Sequence, residues 1–359
     1  MWVTRSHYET DDTERTQRER LYECRCNVDR PRLCNTREGR QRVNMDQIAF
    51  GPVPSRRLGR SLGINNIPPK ICSYSCIYCQ LGRTSNMRVS RQTFYEPQEL
   101  VKRVQEKVES ARKIGESIDY LTFVPDGEPT LDINLGREIE LLKPLDIKIA
   151  VITNASLMSR TDVRDDLMQA DWVSLKVDST REDLWRRINR PQGTLRLRAT
   201  LDGMIDFSSS YHGDLATETM LVRDLNDNDR HVEEVAGFVA QLKGARAYLS
   251  IPTRPPAEKW VQPSREETII RAYQTFSERL DNVEYLIGYE GNAFASTEDV
   301  EQDILSITAV HPMREQAVRE LLARANAEWS VVEKLVTLGQ LIRTEYEGRY
   351  FYMRKLHGT

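Results

Sequence analysis

The 359-residue sequence predicts an α/β protein built on a parallel sheet, with a smaller unit of different pattern towards its C-terminal end. Between about residues 62 and 290, short apolar runs alternate with amphipathic helical stretches. Strands that are apolar throughout and separated by helices are typical of a parallel sheet that is covered on both faces or closed into a barrel. Polar residues follow several of these runs, where such folds carry their chemistry.

The predicted strands and helices fill one domain at residues 45–292. The apolar runs predict strands at 62–67, 120–124, 148–153, 172–177, 218–222, 247–251 and 284–287. Apolar residues at helical spacing predict helices at 97–113, 134–142, 163–170, 181–188, 194–207, 229–242 and 265–280.

The C-terminal region, residues 293–359, reads as three helices followed by a β-hairpin around Glu347 and Gly348. This order predicts a winged-helix-like domain. Its basic and aromatic residues are interleaved, which suits nucleic acid, but acidic residues dilute the charge. Nucleic-acid binding, peptide binding and a purely structural cap all remain open for it.

The first 44 residues differ from the rest, because they are rich in arginine and show almost no aliphatic periodicity. They are predicted to be a poorly structured extension. The alternative is that Met45 is the true start of the native protein. Cys24, Cys26 and Cys34 lie in this segment, either as ligands of a second cluster or as free thiols.

Composition excludes several classes of protein. The formal net charge of −3 gives no global attraction to nucleic acid or to an anionic membrane. No run approaches the roughly 18 apolar residues of a membrane-spanning helix, and the N-terminus lacks the apolar core of a secretory signal. A cytoplasmic protein without membrane contact is therefore predicted. In that reducing compartment, clustered cysteines favour metal or catalytic sites over disulfides.

The cysteines at 72–79 form the most specific pattern in the chain, since Cys72, Cys76 and Cys79 have the spacing C-x3-C-x2-C. Three thiolates within eight residues can bind three corners of a cubane iron–sulfur cluster. Structural zinc sites usually take four ligands from two separated pairs, which this segment lacks. The fourth corner would stay open for a small molecule.

This spacing, with Tyr78 at its aromatic position, resembles the signature of the radical S-adenosylmethionine (SAM) superfamily. The resemblance implies a partial parallel (β/α)6-type barrel and a [4Fe–4S] cluster held by Cys72, Cys76 and Cys79. It also implies that SAM binds the open iron. A reductant protein such as flavodoxin or ferredoxin would supply the electron that cleaves SAM to a 5′-deoxyadenosyl radical.

Other segments resemble the SAM-binding parts of that superfamily. Gly127 and Glu128 resemble the pair that holds the SAM amino group, although a turn and helix cap would explain them in isolation. Lys176 and Asp178 end a buried strand, and would either pair with each other or meet SAM or substrate. The remaining expected contacts are Thr153 and Asn154 near the SAM ribose or carboxylate, and Ile251 near the adenine.

Three longer stretches narrow the resemblance. They are FGPVPSRRLGRSLGI at 50–64, YCQLGRT at 78–84 and FVPDGEPTLD at 123–132. They are similar to bacterial and archaeal proteins related to the wyosine tRNA-modification synthases, which makes RNA the first substrate class to test. No lysine stands in an evident Schiff-base context, so the wyosine reaction itself is not supported. Arg56, Arg57 and Arg60 would suit a phosphate or carboxylate at the mouth of the site, or form a solvated loop.

Two other functions remain open at this point. One is a peptide- or protein-modifying radical SAM enzyme whose C-terminal domain grips its substrate. The other is a DNA-binding regulator that uses an iron–sulfur cluster as a redox sensor. Balanced charge at residues 328–338, the expected recognition helix, argues against the regulator.

Overall fold

The computed structural model describes residues 48–286, 299–310 and 312–355, all within the compact unit Val43–Thr359. The predicted extension at 1–44, with Cys24, Cys26 and Cys34, lies outside the described residues. Among the helices that are described, none is long and apolar enough to cross a membrane.

One eight-stranded sheet forms the centre of the molecule, and its strands follow one another in chain order. They are β1 (Ala49–Ser55), β2 (Gly59–Ile64), β3 (Tyr120–Phe123), β4 (Lys148–Thr153), β5 (Trp172–Lys176), β6 (Asp214–Met220), β7 (Arg246–Ser250) and β8 (Val283–Leu286). β1 and β2 are antiparallel, whereas β2 to β8 pair in parallel. The predicted partial parallel barrel is therefore confirmed, as a curled and open sheet.

The edge strand β1 was not predicted from the sequence, because its Gly-Pro-Val-Pro composition reads as a loop. Pro52 and Pro54 have no backbone N–H to donate to a ladder, and they are tolerated because β1 pairs with only one neighbour in the sheet.

Helices between the parallel strands cover the outer face of the sheet. They are α1 (Pro97–Lys113), α2 (Leu135–Leu142), α3 (Thr161–Leu167), α4 (Glu182–Ile188), α5 (Leu197–Ser210), α6 (Asp229–Val239) and α7 (Glu266–Ser277). All seven were predicted, with bounds that differ by a few residues at most, as helix ends usually do. Their apolar faces pack on outward-facing strand residues such as Leu121, Val151 and Val173 to form the main core.

The inner face of the sheet is apolar at the starts of the strands. Because side chains alternate between the two faces of a strand, Ala150, Trp172, Ala216 and Tyr248 point away from the helices. They pack with Leu58 as a separate buried cluster. This cluster occupies the lower end of the half-barrel and leaves the carboxyl ends of the strands for polar groups.

The C-terminal region packs against β1. It contains α8 (Val300–Val310), β9 (Met313–Arg314), α9 (Glu315–Arg324), α10 (Ser330–Thr337), β10 (Leu341–Tyr346) and β11 (Arg349–Arg354). The three short strands form an antiparallel sheet in the order β9-β11-β10. Phe50 and Val53 of β1 belong to the core of this region. Three helices and a hairpin occur in the expected order, and the name winged-helix stays a prediction.

Candidate active site

The cysteine loop lies between β2 and α1, at the carboxyl end of the parallel sheet. Ile71–Cys72 pairs in parallel with Asn86–Met87, which closes the loop at its base. Within the loop, the backbone N–H of Cys79 donates to the carbonyl of Cys76 at 3.1 Å, and that of Gly82 donates to Cys79 at 3.1 Å. Two successive turns, after Cys76 and after Cys79, therefore fold this part of the loop back on itself.

The segment after α4 holds the cysteine loop against the barrel. Ser75 donates its backbone N–H to the carbonyl of Asn189 at 3.0 Å, and Ile77 donates to Ile188 at 2.9 Å. In the reverse direction, Gln192 donates to the carbonyl of Ser73 at 2.9 Å. Backbone contacts with the end of α4 thus fix the loop between its cysteines.

The three thiols suit a cluster better than a single metal ion. Burial raises the pKa of Cys72 well above its ordinary value, that of Cys76 to about 12, and that of Cys79 as well. No three Cys, His, Asp or Glu side chains in the described ranges converge as ligands of one ion. A zinc ion would need sulfurs at about 2.3 Å from one centre. In a cubane each thiolate binds a different iron, and the metal offsets the cost of ionising the thiols.

Two asparagine amides point at the sulfurs. Asn154 Nδ2 lies 3.4 Å from Cys72 Sγ, and Asn189 Nδ2 lies 3.5 Å from Cys76 Sγ. Hydrogen bonds to cysteine sulfur stabilise its negative charge and help to set the reduction potential of a bound cluster. Asn154 was expected at the site. From the sequence, segment 189–191 was open between a further charge at the site and a helix-ending loop, because the contact of Asn189 with Cys76 joins segments far apart in the chain.

Gly127 lies against the backbone of the cysteine loop. A Cβ at this position would collide with the carbonyl oxygen of Ile71 and would lie 2.8 Å from Ile67 Cδ1. The next backbone N–H, that of Glu128, donates to the same Ile71 carbonyl at 3.2 Å. Close backbone approach is therefore what this glycine provides, and the backbone that approaches belongs to the residue before Cys72.

Glu128 is fully buried and its carboxylate is satisfied inside the protein. Oε1 accepts from Thr130 N at 3.1 Å, Thr130 Oγ1 at 2.6 Å and Thr153 Oγ1 at 2.5 Å, and Oε2 accepts from Asn154 N at 2.7 Å. Burial raises the pKa of Glu128, and these hydrogen bonds oppose the rise. Hydrogen bonds thus join three of the predicted residues, and the Glu128 carboxylate fixes the end of β4.

Asp126 is a buried acid beside the predicted pair Gly127 and Glu128 that sequence reasoning did not single out. Its side chain is 3% exposed, and neither carboxylate oxygen has a hydrogen-bond partner in the described part of the chain. Burial raises its pKa to about 8, and the positive charges of Arg354 and Lys70 oppose the rise. Since Arg354 lies in β11, no local pattern in the sequence could have revealed this environment.

Lys176 and Asp178 do not pair with each other, which corrects one of the two expectations for them. Lys176 Nζ donates to Glu218 Oε1 at 2.8 Å and lies 5.1 Å from the centre of the Tyr78 ring. Asp178 accepts from the Tyr78 hydroxyl and from Asn189 Nδ2, the latter at 2.7 Å. The attraction of Glu218 raises the pKa of Lys176 against the effect of burial, so its ammonium is charged.

The expected anion site of three arginines is not assembled. Arg57 forms an ion pair with Glu218 and lies 6.0 Å from the Trp172 ring, inside the half-barrel. Arg60 pairs with Glu116 at the start of β2, the opposite end of the strand from the cysteine loop. Arg56 precedes both in the turn between β1 and β2. Sequence proximity misled here, because the turn belongs to the lower end of the sheet.

The C-terminal hairpin β10–β11 reaches the open end of the half-barrel at two points. The Tyr346 hydroxyl donates to the carbonyl of Pro252 at 3.2 Å, one residue beyond Ile251, which follows β7 and packs half-buried on the main core. Arg354 acts on Asp126, which follows β3. The hairpin therefore spans the open end from the β3 side to the β7 side.

Comparison with known proteins agrees with this arrangement. The family model of the radical SAM superfamily matches residues 66–239. A UPF0026 protein of Methanocaldococcus jannaschii is 49% identical over 311 residues, which cover 86% of this chain and 96% of that protein.

Solved structures are more distant. A radical SAM methyltransferase from Sphaerobacter thermophilus aligns with a TM-score of 0.48 and 15% identity, over 63% of this chain and 66% of its own. TYW1 with a lysine–pyruvate adduct bound aligns with a TM-score of 0.44 and 15% identity, over 61% and 73% of the two chains. Neither assigns a reaction or a substrate to this chain.

The chain belongs to the UPF0026 family and carries a radical SAM domain at residues 66–239. It is an enzyme of the radical SAM class, which uses a [4Fe–4S] cluster and SAM, needs an external reductant and acts on a further substrate.

Proposed function

We propose that this UPF0026 protein binds its [4Fe–4S] cluster through Cys72, Cys76 and Cys79, cleaves SAM reductively and modifies RNA. The observation that carries the proposal is the cysteine loop itself. Its three partly buried thiols lie at the carboxyl ends of the strands, and two of them lie within reach of asparagine amides. When bound, the cluster and SAM supply one-electron cleavage to methionine and 5′-deoxyadenosine, with a hydrogen atom taken from the substrate.

The protein's own residues hold this chemistry in place. Gly127 and the backbone N–H of Glu128 position Ile71 before the first thiol, and the Glu128 carboxylate accepts from the backbone N–H of Asn154 after β4. Tyr78 and Asp178 join the cysteine loop to the end of β5. Lys176 brings a charged ammonium to the inner face below Tyr78. The proposed SAM contacts are Tyr78, Gly127, Glu128, Thr153, Asn154, Lys176, Asp178 and Ile251.

The first test is SAM cleavage. Protein reconstituted anaerobically with iron and sulfide, then given dithionite and SAM, should release 5′-deoxyadenosine, and Cys76→Ala should abolish the release. The matched control is the triple variant Cys24→Ala, Cys26→Ala and Cys34→Ala, which should keep it. Reconstituted protein that holds four irons per chain and never cleaves SAM would refute the proposal.

Iron content also decides whether a second cluster exists. If the N-terminal cysteines are free thiols, the triple variant will bind as much iron as the parent protein. Loss of about half the iron, with release of 5′-deoxyadenosine retained, would establish a second cluster held by Cys24, Cys26 and Cys34.

The proposal of RNA rests on the C-terminal region. The Arg343 guanidinium lies 3.6 Å from the centre of the Tyr350 ring, and Tyr350 is 43% exposed. The Arg319 guanidinium lies 4.1 Å from the centre of the Trp329 ring. Aromatic rings and guanidinium planes are the groups on which unpaired RNA bases stack. The same hairpin reaches the open end of the half-barrel, so an RNA bound there would lie beside the site.

The RNA proposal is tested by measuring tRNA binding and by identifying a modified nucleoside that is lost in a strain without the protein. Filter binding of total tRNA should weaken about tenfold in Arg343→Ala/Tyr350→Ala, at roughly 1–3 kcal/mol per lost stacking contact. Arg271→Ala, at an exposed position of α7, is the control. Mass spectrometry of nucleosides from a strain without the protein should show one modified nucleoside replaced by its precursor. An unchanged nucleoside set, with a short peptide or operator DNA retained instead, would contradict RNA.

A further inference from the structure

We propose that two copies of this chain associate through strand β10, which pairs with β10 of the second copy in an antiparallel manner. The two C-terminal sheets would then form one six-stranded sheet. β10 has six residues and lies at the end of the order β9-β11-β10. Such an edge strand presents a row of backbone N–H and C=O groups to which another strand can add. This pairing goes beyond the proposed function and does not depend on the reaction.

The register of the hairpin decides which backbone groups of β10 face its free edge. Glu347 and Gly348 form a two-residue turn with φ of 50° and 66°, and Tyr346 pairs with Arg349 beside it. In a hairpin of this kind the two residues that flank the turn exchange hydrogen bonds. Hydrogen-bonded pairs then recur at every second residue along the two strands.

Arg343 and Glu345 have their backbone groups on the free edge. Counting back from the turn, Thr344 is bonded to β11, whereas the N–H and C=O groups of Arg343 and Glu345 point away from β11. The backbone N–H of Lys355 donates to the carbonyl of Gln340 at 2.7 Å, which agrees with this alternation. Two residues of β10 are therefore ready to exchange hydrogen bonds with another strand.

The side chains of the same two residues select a second copy and one register. Arg343 and Glu345 are exposed, carry opposite charges and have no ion-pair partner among the described residues. With Thr344 on the two-fold axis, each Arg343 lies directly opposite Glu345 of the second copy. Moving the axis by one residue would place two arginines or two glutamates opposite each other. Opposite charges stabilise a strand pair and like charges destabilise it, so this one register is favoured.

Apolar side chains are concentrated beside this edge. Nine large apolar side chains are exposed among the described residues, and four of them lie within 336–350, namely Val336, Leu338, Ile342 and Tyr350. Leu338 is 61% exposed and Ile342 is 44% exposed. In the favoured register, Ile342 lies opposite Tyr346 of the second copy, so pairing covers part of this apolar surface and is favoured by its burial.

Two other edge strands are protected against pairing, whereas β10 is not. β1 contains Pro52 and Pro54, and it packs against the C-terminal region through Phe50 and Val53. β9 has only two residues. Proline, short length and a covering element are the usual means by which proteins prevent their edge strands from pairing. β10 contains neither proline nor glycine, and its two charges complement those of a second copy.

Sedimentation velocity of the full-length protein tests the pairing, and the parent should become a dimer as its concentration rises. Arg343→Glu and Glu345→Arg each create two like-charge pairs per dimer, so the dimer Kd should rise at least about tenfold. The double variant Arg343→Glu/Glu345→Arg restores both pairs with the charges exchanged, and its Kd should return to within about threefold of the parent's. Arg198→Glu, whose side chain is 86% exposed on α5, is the control for a change of charge alone.

A mixture of the two single variants separates lost pairing from lost folding. Arg343→Glu makes the edge acidic at both positions, and Glu345→Arg makes it basic at both. Each variant alone should stay monomeric, and the two together should form a heterodimer, which misfolded chains could not do. Hydrogen exchange adds the register, because the amides of Arg343 and Glu345 should be protected only in the dimer and that of Thr344 in both states.

The outcomes that would overturn the pairing are distinct. They include a parent protein that stays monomeric at every concentration, and a dimer that neither single variant weakens. Protection of the Arg343 and Glu345 amides in a monomer would assign the edge to another segment of the same chain. Protection that appears only with tRNA or with an added peptide would assign the edge to that ligand, and either result would overturn a second copy as its occupant.

Discussion

The two ends of the half-barrel interior are built on opposite principles. At the lower end, Trp172, Tyr248 and their neighbours exclude water with apolar side chains. At the open end, the buried groups include carboxylates that are matched by hydrogen-bond donors, as those of Glu128 and Asp178 are, and the carboxylate of Asp126, which has no such donor in the described residues. A buried polar group that loses its partner bears the full cost of desolvation. The open end is therefore where single substitutions should act most strongly.

The inner face of the sheet changes from apolar to charged within two residues of one strand. On β6, Ala216 belongs to the apolar cluster, and Glu218, on the same face of the strand, carries the ion pairs to Lys176 and Arg57. A strand repeats its face every second residue, so one step along it separates the two environments.

The largest effect is expected at this boundary. Glu218→Leu leaves Lys176 and Arg57 without their carboxylate in the interior, and should lower the free energy of unfolding by about 3–5 kcal/mol. Glu284→Leu is the control, because the Arg246–Glu284 pair is half exposed and exposed pairs contribute at most about 1 kcal/mol. Urea unfolding checks both, and equal losses would show that the interior pair is solvated.

Substitution of Asp126 should have the next largest effect on stability, and this effect depends on pH. Because its pKa is raised to about 8 in the folded protein, the folded state keeps a proton that the unfolded state loses above its ordinary pKa of about 3.9. Stability therefore falls as pH rises from about 4 to about 8. In cluster-free protein, Asp126→Asn should be more stable than the parent by about 2 kcal/mol or more at pH 8, with the gain vanishing towards pH 4. A variant less stable at every pH would show an ionised carboxylate held by Lys70 and Arg354.

Gly127→Ala is expected to have the third largest effect. The added methyl group collides with the Ile71 carbonyl, and overpacking of this kind costs about 1–3 kcal/mol. Displacement of Ile71 would also move Cys72, so iron bound per chain should fall after reconstitution. Gly237→Ala is the control: it lies in α6 with nothing within 4 Å of the new Cβ, and should stabilise by about 0.5–1 kcal/mol. Full iron binding by Gly127→Ala would mean that the loop adapts.

The smallest effect is expected for the amide that faces Cys76. Asn189→Ala removes a donor at 3.5 Å from the sulfur, so the cluster should become harder to reduce. A fall of the midpoint potential by roughly 30–60 mV is expected, and about 59 mV corresponds to a factor of ten for one electron. Potentiometry followed by electron paramagnetic resonance measures it. Asn134→Ala, at an exposed contact with Thr93, should leave the potential unchanged. An unchanged potential for both variants would remove Asn189 from cluster tuning.

The features that could be predicted from the sequence are those that depend on a local pattern within one segment. The bounds of α1 and β4 were predicted without error, since periodicity, Pro97 at the first helical turn and apolar runs are all readable within one segment. The cysteine spacing is local in the same way. β1 was missed because its prolines hide a strand, and the arginine site was misjudged because the turn that carries it lies at the far end of β2.

The sequence by itself determined the fold class, the cysteine loop and the positions of Gly127, Glu128 and Asn154 behind their strands. Only the tertiary structure decided which groups the buried polar side chains contact. Lys176 meets Glu218 because β5 and β6 pair in that register, and Asp126 meets the charge of Arg354 because the C-terminal hairpin crosses the open end. Burial and pairing depend on segments far apart in the chain, and the energy of a buried polar group depends on the partner it finds.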